Sequence, residues 1–134
     1  MPTRTDILCS IAAALVVAAS AYAQDVERFT GKWQGEHQGE VYLVVTIAAD
    51  LKVTLATGHI HVGETGEIDE ANGPAEHAEE VLEARLVEGR LMLRTRQESG
   101  EEMRYEMRVE ADGTALLRLP DEPDWIKPFR LKKA

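Results

Sequence analysis

The sequence predicts an all-β fold, a single antiparallel up-and-down barrel of about eight strands. Three observations lead there. Short runs of alternating apolar residues are broken at close intervals by glycine and asparagine. Three consecutive hairpins can be drawn in one consistent register. The sheet they form has one apolar face, and with few aromatics and no internal helix signal, closure of the sheet on itself is the simplest way to bury it.

The chain has 134 residues and a formal charge of −9. Residues 1–23 read as a secretory signal peptide. Arg4 precedes an apolar run over residues 7–21, and Ala21-Tyr22-Ala23 forms a small-x-small cleavage pattern. The run is shorter than the roughly 20 residues a membrane span needs, and no second one follows, so no span is expected. The expected localisation is periplasmic or secreted. Cys9, the only cysteine, lies inside the signal. The remaining chain, residues 24–134, is therefore expected to lack thiol chemistry, disulfides and cysteine–zinc sites. It is of single-domain length and carries the whole net charge, because Arg4 and Asp6 cancel. So acidic a surface repels nucleic acid and anionic membranes and suits a basic partner.

The strands are expected, in order, at residues 32–38, 41–48, 52–62 with a bend at Gly58, 81–87, 91–97, 103–110, 114–119 and 126–132. Almost no helical segment precedes the first. Facing residues of an antiparallel pair share a side of the sheet. Leu82, Ala84 and Leu86 are taken as inward, beside inward Leu91, Leu93 and Thr95. Pairing Leu86 with Leu91 centres a two-residue primed turn on Glu88-Gly89. Met103, Tyr105, Met107 and Val109 come next, with Tyr105 opposite Thr95, Met107 opposite Leu93, and a loop centred on Gly100. Ala111-Asp112-Gly113 then makes a three-residue loop that pairs Val109 with Ala115 and Met107 with Leu117. On the outer face this register sets Arg94 beside Glu106 and Glu106 beside Arg118. Such pairs on a solvated face give at most about 1 kcal/mol each.

The acidic segment at residues 64–80 breaks the rhythm. Two readings compete. It is a surface loop, with at most one helical turn at residues 75–79, leading into a strand at Val81. Alternatively Pro74 opens a helix through "PAEHAEEVLEARL". The register of Leu82–Leu86 with Leu91–Thr95 favours the loop.

Few residues suggest chemistry. His59 and His61, two apart on a strand, share a face and could reach one metal, with Glu64, Glu67 or His77 as a third ligand. A bulge at Gly58 would instead turn Ile60 and Val62 inward and both histidines to solvent. Glu36 and His37, being neighbours on a strand, point oppositely. Ser99 lies in a turn. No phosphate loop, dinucleotide fingerprint or calcium loop is present. No catalytic residues and no cofactor are expected, and the chain is not expected to be an enzyme.

Gly31-Lys32-Trp33 resembles the Gly-x-Trp that opens the first strand of lipocalin-like, or calycin, barrels. The closing Pro128-Phe129-Arg130-Leu131 is similar to the end of small secreted bacterial β-domains. The resemblance implies that Trp33 packs across the closed end of the barrel. A basic residue of the last strand would cover its ring: Arg130, with Lys132 as the alternative. It also implies a secreted binding role in general and transfers no ligand; the expected function is non-catalytic binding of a small apolar or amphipathic ligand in the barrel. The inward residues Val45, Leu93, Tyr105, Met107 and Leu117 would line the site, and such a carrier needs an interior cavity of at least about 300 Å³. Two alternatives stand beside it. One is a protein-interaction module, an inhibitor or envelope accessory factor, whose acidic loop meets a basic protein. The other is metal binding through His59 and His61.

Overall fold

Eight antiparallel strands, each hydrogen-bonded to the next in chain order, close into a barrel when the last pairs with the first. The computed structural model describes residues 22–134. The expected signal peptide, residues 1–23, lies outside them apart from Tyr22 and Ala23. The strands are β1 (Gly31–His37), β2 (Glu40–Ile47), β3 (Val53–Val62), β4 (Ile68–Val87), β5 (Arg90–Arg96), β6 (Glu102–Val109), β7 (Ala115–Arg118) and β8 (Phe129–Lys133).

A short helix, α1 (residues 22–29), precedes β1, where almost no helical segment was expected. Its apolar residues Val26 and Phe29 are buried, so the turn is held by packing rather than by propensity. The Thr30 backbone N–H and hydroxyl both donate to the Val26 carbonyl and close the helix end.

Alternating strand direction sorts the connections into two sets. One end of the barrel carries α1 and the β2–β3, β4–β5 and β6–β7 turns. The other carries the β1–β2, β3–β4 and β5–β6 turns and the long β7–β8 connection. The two-residue turns at Gln38-Gly39 and Glu88-Gly89 have positive φ at both positions, 50° and 84°, and 51° and 76°. That is the type I′ geometry whose twist matches the flanking strands.

The first end is closed. Trp33 is 1% exposed and packs with Phe29, Ile47 and Leu131. Its indole N–H donates to the Phe29 carbonyl at 2.8 Å, which binds the plug to the helix. The cation over the ring is Lys133, 5.3 Å from the ring centre, and neither Arg130 nor Lys132. The reason is parity. Phe129 and Leu131 are buried while Arg130 and Lys132 are exposed, so Lys133 lies on the Trp33 side and is its register partner. Arg130 instead donates to the Thr114 hydroxyl at 3.0 Å.

The β6–β7 hairpin holds as expected, and the β4–β5 hairpin holds from its turn as far as Ala84 opposite Leu93. Leu86 faces Leu91, and Val109 faces Ala115 with Met107 facing Leu117. In the β5–β6 hairpin the faces are as expected but the register differs by two residues. Tyr105 faces Leu93, and Met107 faces Leu91. Gly100, with φ 89°, takes the last position of a three-residue loop rather than its centre, as Gly113 does in the next hairpin.

The shift changes the outer face. Arg94 lies opposite Arg104 and takes Glu102, at 2.6 Å, in place of Glu106. Arg104 is paired with Asp121. Glu106, 7% exposed, receives Arg90 at 3.1 Å and Arg118 at 2.9 Å. Burial alone would push its carboxyl up, but the two guanidinium groups outweigh that and hold it below the usual carboxylate range.

Only residues 64–67 of the acidic segment form a turn, and none of it is helix. β4 runs from Ile68 through the rest of it to Val87. A bulge falls between Val81 and Glu83, so Val81, rather than Leu82, packs against the core beside Ala84 and Leu86. The last strand also begins later than expected, at Phe129, and residues 119–128 form a turn-rich connection.

Trp33→Ala removes the largest fully buried side chain and is expected to cost about 3–5 kcal/mol in urea unfolding. Lys133→Ala, which removes only an exposed cation over the ring, is expected to cost less than about 1 kcal/mol in the same assay.

Candidate functional site

The second end of the barrel is not filled. A cavity of about 190 Å³ lies there, between the plugged half and the loops. Tyr42 and Leu43 from β2, Ile60 from β3, Met103 from β6, Leu117 from β7 and Phe129 from β8 give it apolar walls. Tyr42 and Phe129 meet edge to face at 6.1 Å. Tyr42 can lie flat over β1 because residue 35 is glycine: a Cβ there would stand 3.0 Å from the Tyr42 ring and 3.2 Å from Leu131. Burial pushes the Tyr42 phenol up to about 12.

One charged group enters this wall, Glu79 of β4, which is 8% exposed. Thr95 donates its hydroxyl to Glu79 Oε1 at 2.6 Å. The Tyr105 hydroxyl reaches Oε1 at 2.9 Å and Oε2 at 3.0 Å. Burial, and next the charge of Glu79, push the Tyr105 phenol well above its ordinary value, so it remains a donor.

The expected lining residues divide between two levels. Tyr105 and Leu117 border the cavity, whereas Val45, Leu93 and Met107 lie in the packed core. An eight-stranded barrel is just wide enough for its own side chains to fill, and here they fill the half next to the plug.

The mouth is partly covered. Beyond the Thr57–His77 pair, β3 and β4 leave their other neighbours and continue as a two-stranded arm. The pairing resumes at His59–Asn72, so residues 73–76 bulge out of β4 where β3 has only Gly58. The arm spans the mouth toward the β7–β8 connection, four strands away around the barrel. Ile68 and Ala71 pack on the core, and Ile60 borders the cavity. At the tip the Gly66 carbonyl accepts the Lys127 N–H at 2.8 Å, and Lys127 Nζ meets Glu67 at 3.1 Å. Gly66 has φ 82°, and a Cβ there would overlap the Trp125 carbonyl.

The bulge at Gly58 occurs, and both histidines after it are exposed. His61 Nδ1 is hydrogen-bonded to Asp69 Oδ1 at 2.7 Å. His59 meets the ring of His77 at 5.2 Å. Of the other expected metal ligands, Glu67 is held by Lys127. Among the described residues no three potential ligands gather around one point. Glu36 and His37 border an open groove of about 530 Å³ between the arm tip and β8. His37 Nε2 is buried there without a hydrogen-bond partner among the described residues.

Sequence reasoning missed Glu79 because residues 64–80 read as a loop, and the bulge after Val81 reverses the facing that the Leu82–Leu86 parity would have given it. A signal was present all the same. Thr95 and Tyr105 were both read as inward, and two buried hydroxyls need an acceptor. Comparison of the chain with protein-family models, with curated proteins and with solved structures finds no match.

Two outcomes follow for the arm. Gly66→Ala is expected to speed amide exchange at residues 60–68 at least tenfold while β5–β7 amides are unchanged, as read by hydrogen–deuterium exchange. The His61 hydrogen bond with Asp69, and next the charge of Asp69, raise the imidazole above 6.5. A group held up in this way stabilises the fold fully below 6.5 and ceases to do so as pH rises through the raised value. Arm protection should therefore weaken from mildly acid to mildly alkaline pH. Asp69→Asn should lower the His61 titration seen by NMR and flatten that pH dependence.

Proposed function

We propose that this protein is a secreted or periplasmic, non-catalytic binding protein. It holds a small apolar or amphipathic ligand at the open end of its barrel, in the manner of lipocalin-like proteins. The observation that supports this reading most is the position of the cavity. It lies at the end remote from the Trp33 plug, with apolar walls from successive strands and an entrance beside the arm.

The size of the cavity narrows the ligand. At about 190 Å³ it falls short of the roughly 300 Å³ expected of a pocket for a larger organic molecule. It exceeds the roughly 150 Å³ of an apolar protein cavity that accepts benzene. A single ring with a short substituent, or a short alkyl chain, matches this space. The Glu79–Thr95–Tyr105 cluster offers a polar end, which favours an amphipathic ligand over a purely apolar one.

Benzyl alcohol tests the reading. Titrated into isotopically labelled protein, it should shift the NMR signals of Met103, Tyr105 and Leu117 in a saturable way and leave those of Val45 and the α1 residues in place. Met103→Trp, which fills the cavity from its rim, should weaken the binding at least tenfold with an unchanged melting temperature. Shifts spread evenly over the surface, or binding indifferent to Met103→Trp, would count against a ligand in the barrel.

A further inference from the structure

Two carboxylates in the sheet are almost equally buried, Glu106 at 7% and Glu79 at 8% exposure. Their surroundings differ in kind. Glu106 faces outward and is neutralised by two guanidinium groups, Arg90 and Arg118. Glu79 faces inward and receives only hydroxyls, from Thr95 and Tyr105. No cation reaches it among the described residues. Arg96, the register partner of the neighbouring Glu80, is exposed and turned to Glu80.

A buried carboxylate without a counter-charge is costly. Two hydroxyl bonds do not offset the loss of hydration as a cation would. The arrangement also leaves acceptor capacity unused. Both hydroxyls reach Oε1, and the single Tyr105 proton is shared between Oε1 and Oε2, so Oε2 can accept further bonds. Glu79 borders the cavity, in which every other wall group is uncharged.

We infer that the occupant of the cavity is a small organic cation, a primary ammonium carried on a single ring or a short alkyl chain. Its ammonium group supplies the counter-charge that Glu79 lacks, and its apolar body lies against Leu117, Met103 and Phe129. Tyr105 and Thr95 act as positioning residues: they hold the carboxylate in one orientation and stay neutral themselves. The inference rests on the barrel-binding reading above and specifies its ligand class.

Three probes of one shape separate the possibilities: benzylamine, benzyl alcohol and benzoate, each titrated calorimetrically into the full protein near neutral pH. Benzylamine is expected to bind at least tenfold more tightly than benzyl alcohol, and benzoate more weakly than either, consistent with a charge-assisted bond. Glu79→Gln keeps an oxygen acceptor for the two hydroxyls and removes the charge. It should abolish the preference for the amine, so that benzylamine binds no more tightly than benzyl alcohol to the variant. If benzyl alcohol binds and benzylamine gains nothing, or its gain survives Glu79→Gln, the cation site is wrong and the cavity reading stands. If no probe binds, both fall. Should Glu79→Gln fail to fold, the comparison of the three probes on the unaltered protein decides alone.

Discussion

The seam between β1 and β8 sets the shape of everything else. Seven of the eight strand pairings join consecutive strands. The eighth joins the first to the last through only two register pairs, Trp33–Lys133 and Gln34–Lys132. The Ala134 N–H adds a bond to the Lys32 carbonyl at 2.8 Å. All of these lie at the plugged end. Toward the mouth β1 and β8 have no register pairs, and side chains line an open groove between them. Tyr42 reaches across Gly35 toward Leu131 and meets Phe129, and the arm tip comes down beside them.

A barrel tightened at one end and splayed at the other has an unequal interior. Near the seam pairs the width matches a close-packed layer of Trp33, Phe29, Ile47, Leu91 and Leu131. Above them the same sheet encloses more space than its side chains fill. The polar cluster of Glu79, Thr95 and Tyr105 sits at that transition. Its bonds join β4, β5 and β6 across the interior, and a satisfied buried network of this kind fixes one arrangement among several that apolar packing would allow.

What could be read from the sequence was local. The strand count, the primed turn at Glu88-Gly89 and the loop at Ala111-Asp112-Gly113 follow from a period of two and from the φ that glycine permits. Parity alone also pointed to Lys133: starting from the apolar pair Phe129 and Leu131, every second residue arrives there, whereas Arg130 was favoured by analogy. The β5–β6 register was misplaced because Gly100 was set at the centre of its loop, although Glu98-Ser99-Gly100 ends in glycine just as Ala111-Asp112-Gly113 does. The arm was illegible for a different reason. A two-stranded ribbon standing outside the barrel is wet on most of both sides, so it carries no alternation, and residues 64–80 looked like loop. Glu79 lies at the root of that ribbon, and its inward facing depends on a bulge that leaves no mark in composition. The candidate site was therefore half visible, through its hydroxyls and its apolar wall, and hidden in its one charge.

The acidity of that stretch acquires a physical meaning from the arm. Closing a sheet removes its edges, and with them the unpaired backbone groups that recruit strands from other chains. The arm brings two edges back, because β3 beyond Thr57 has left β2 and the upper part of β4 has left β5. Exposed Asp69, Glu70 and Glu76 lie along this ribbon. A second copy that tried to add its own arm in an antiparallel pairing would bring like charges face to face. The carboxylates that make the sequence look like a loop here oppose the pairing of this open edge with another copy of the chain.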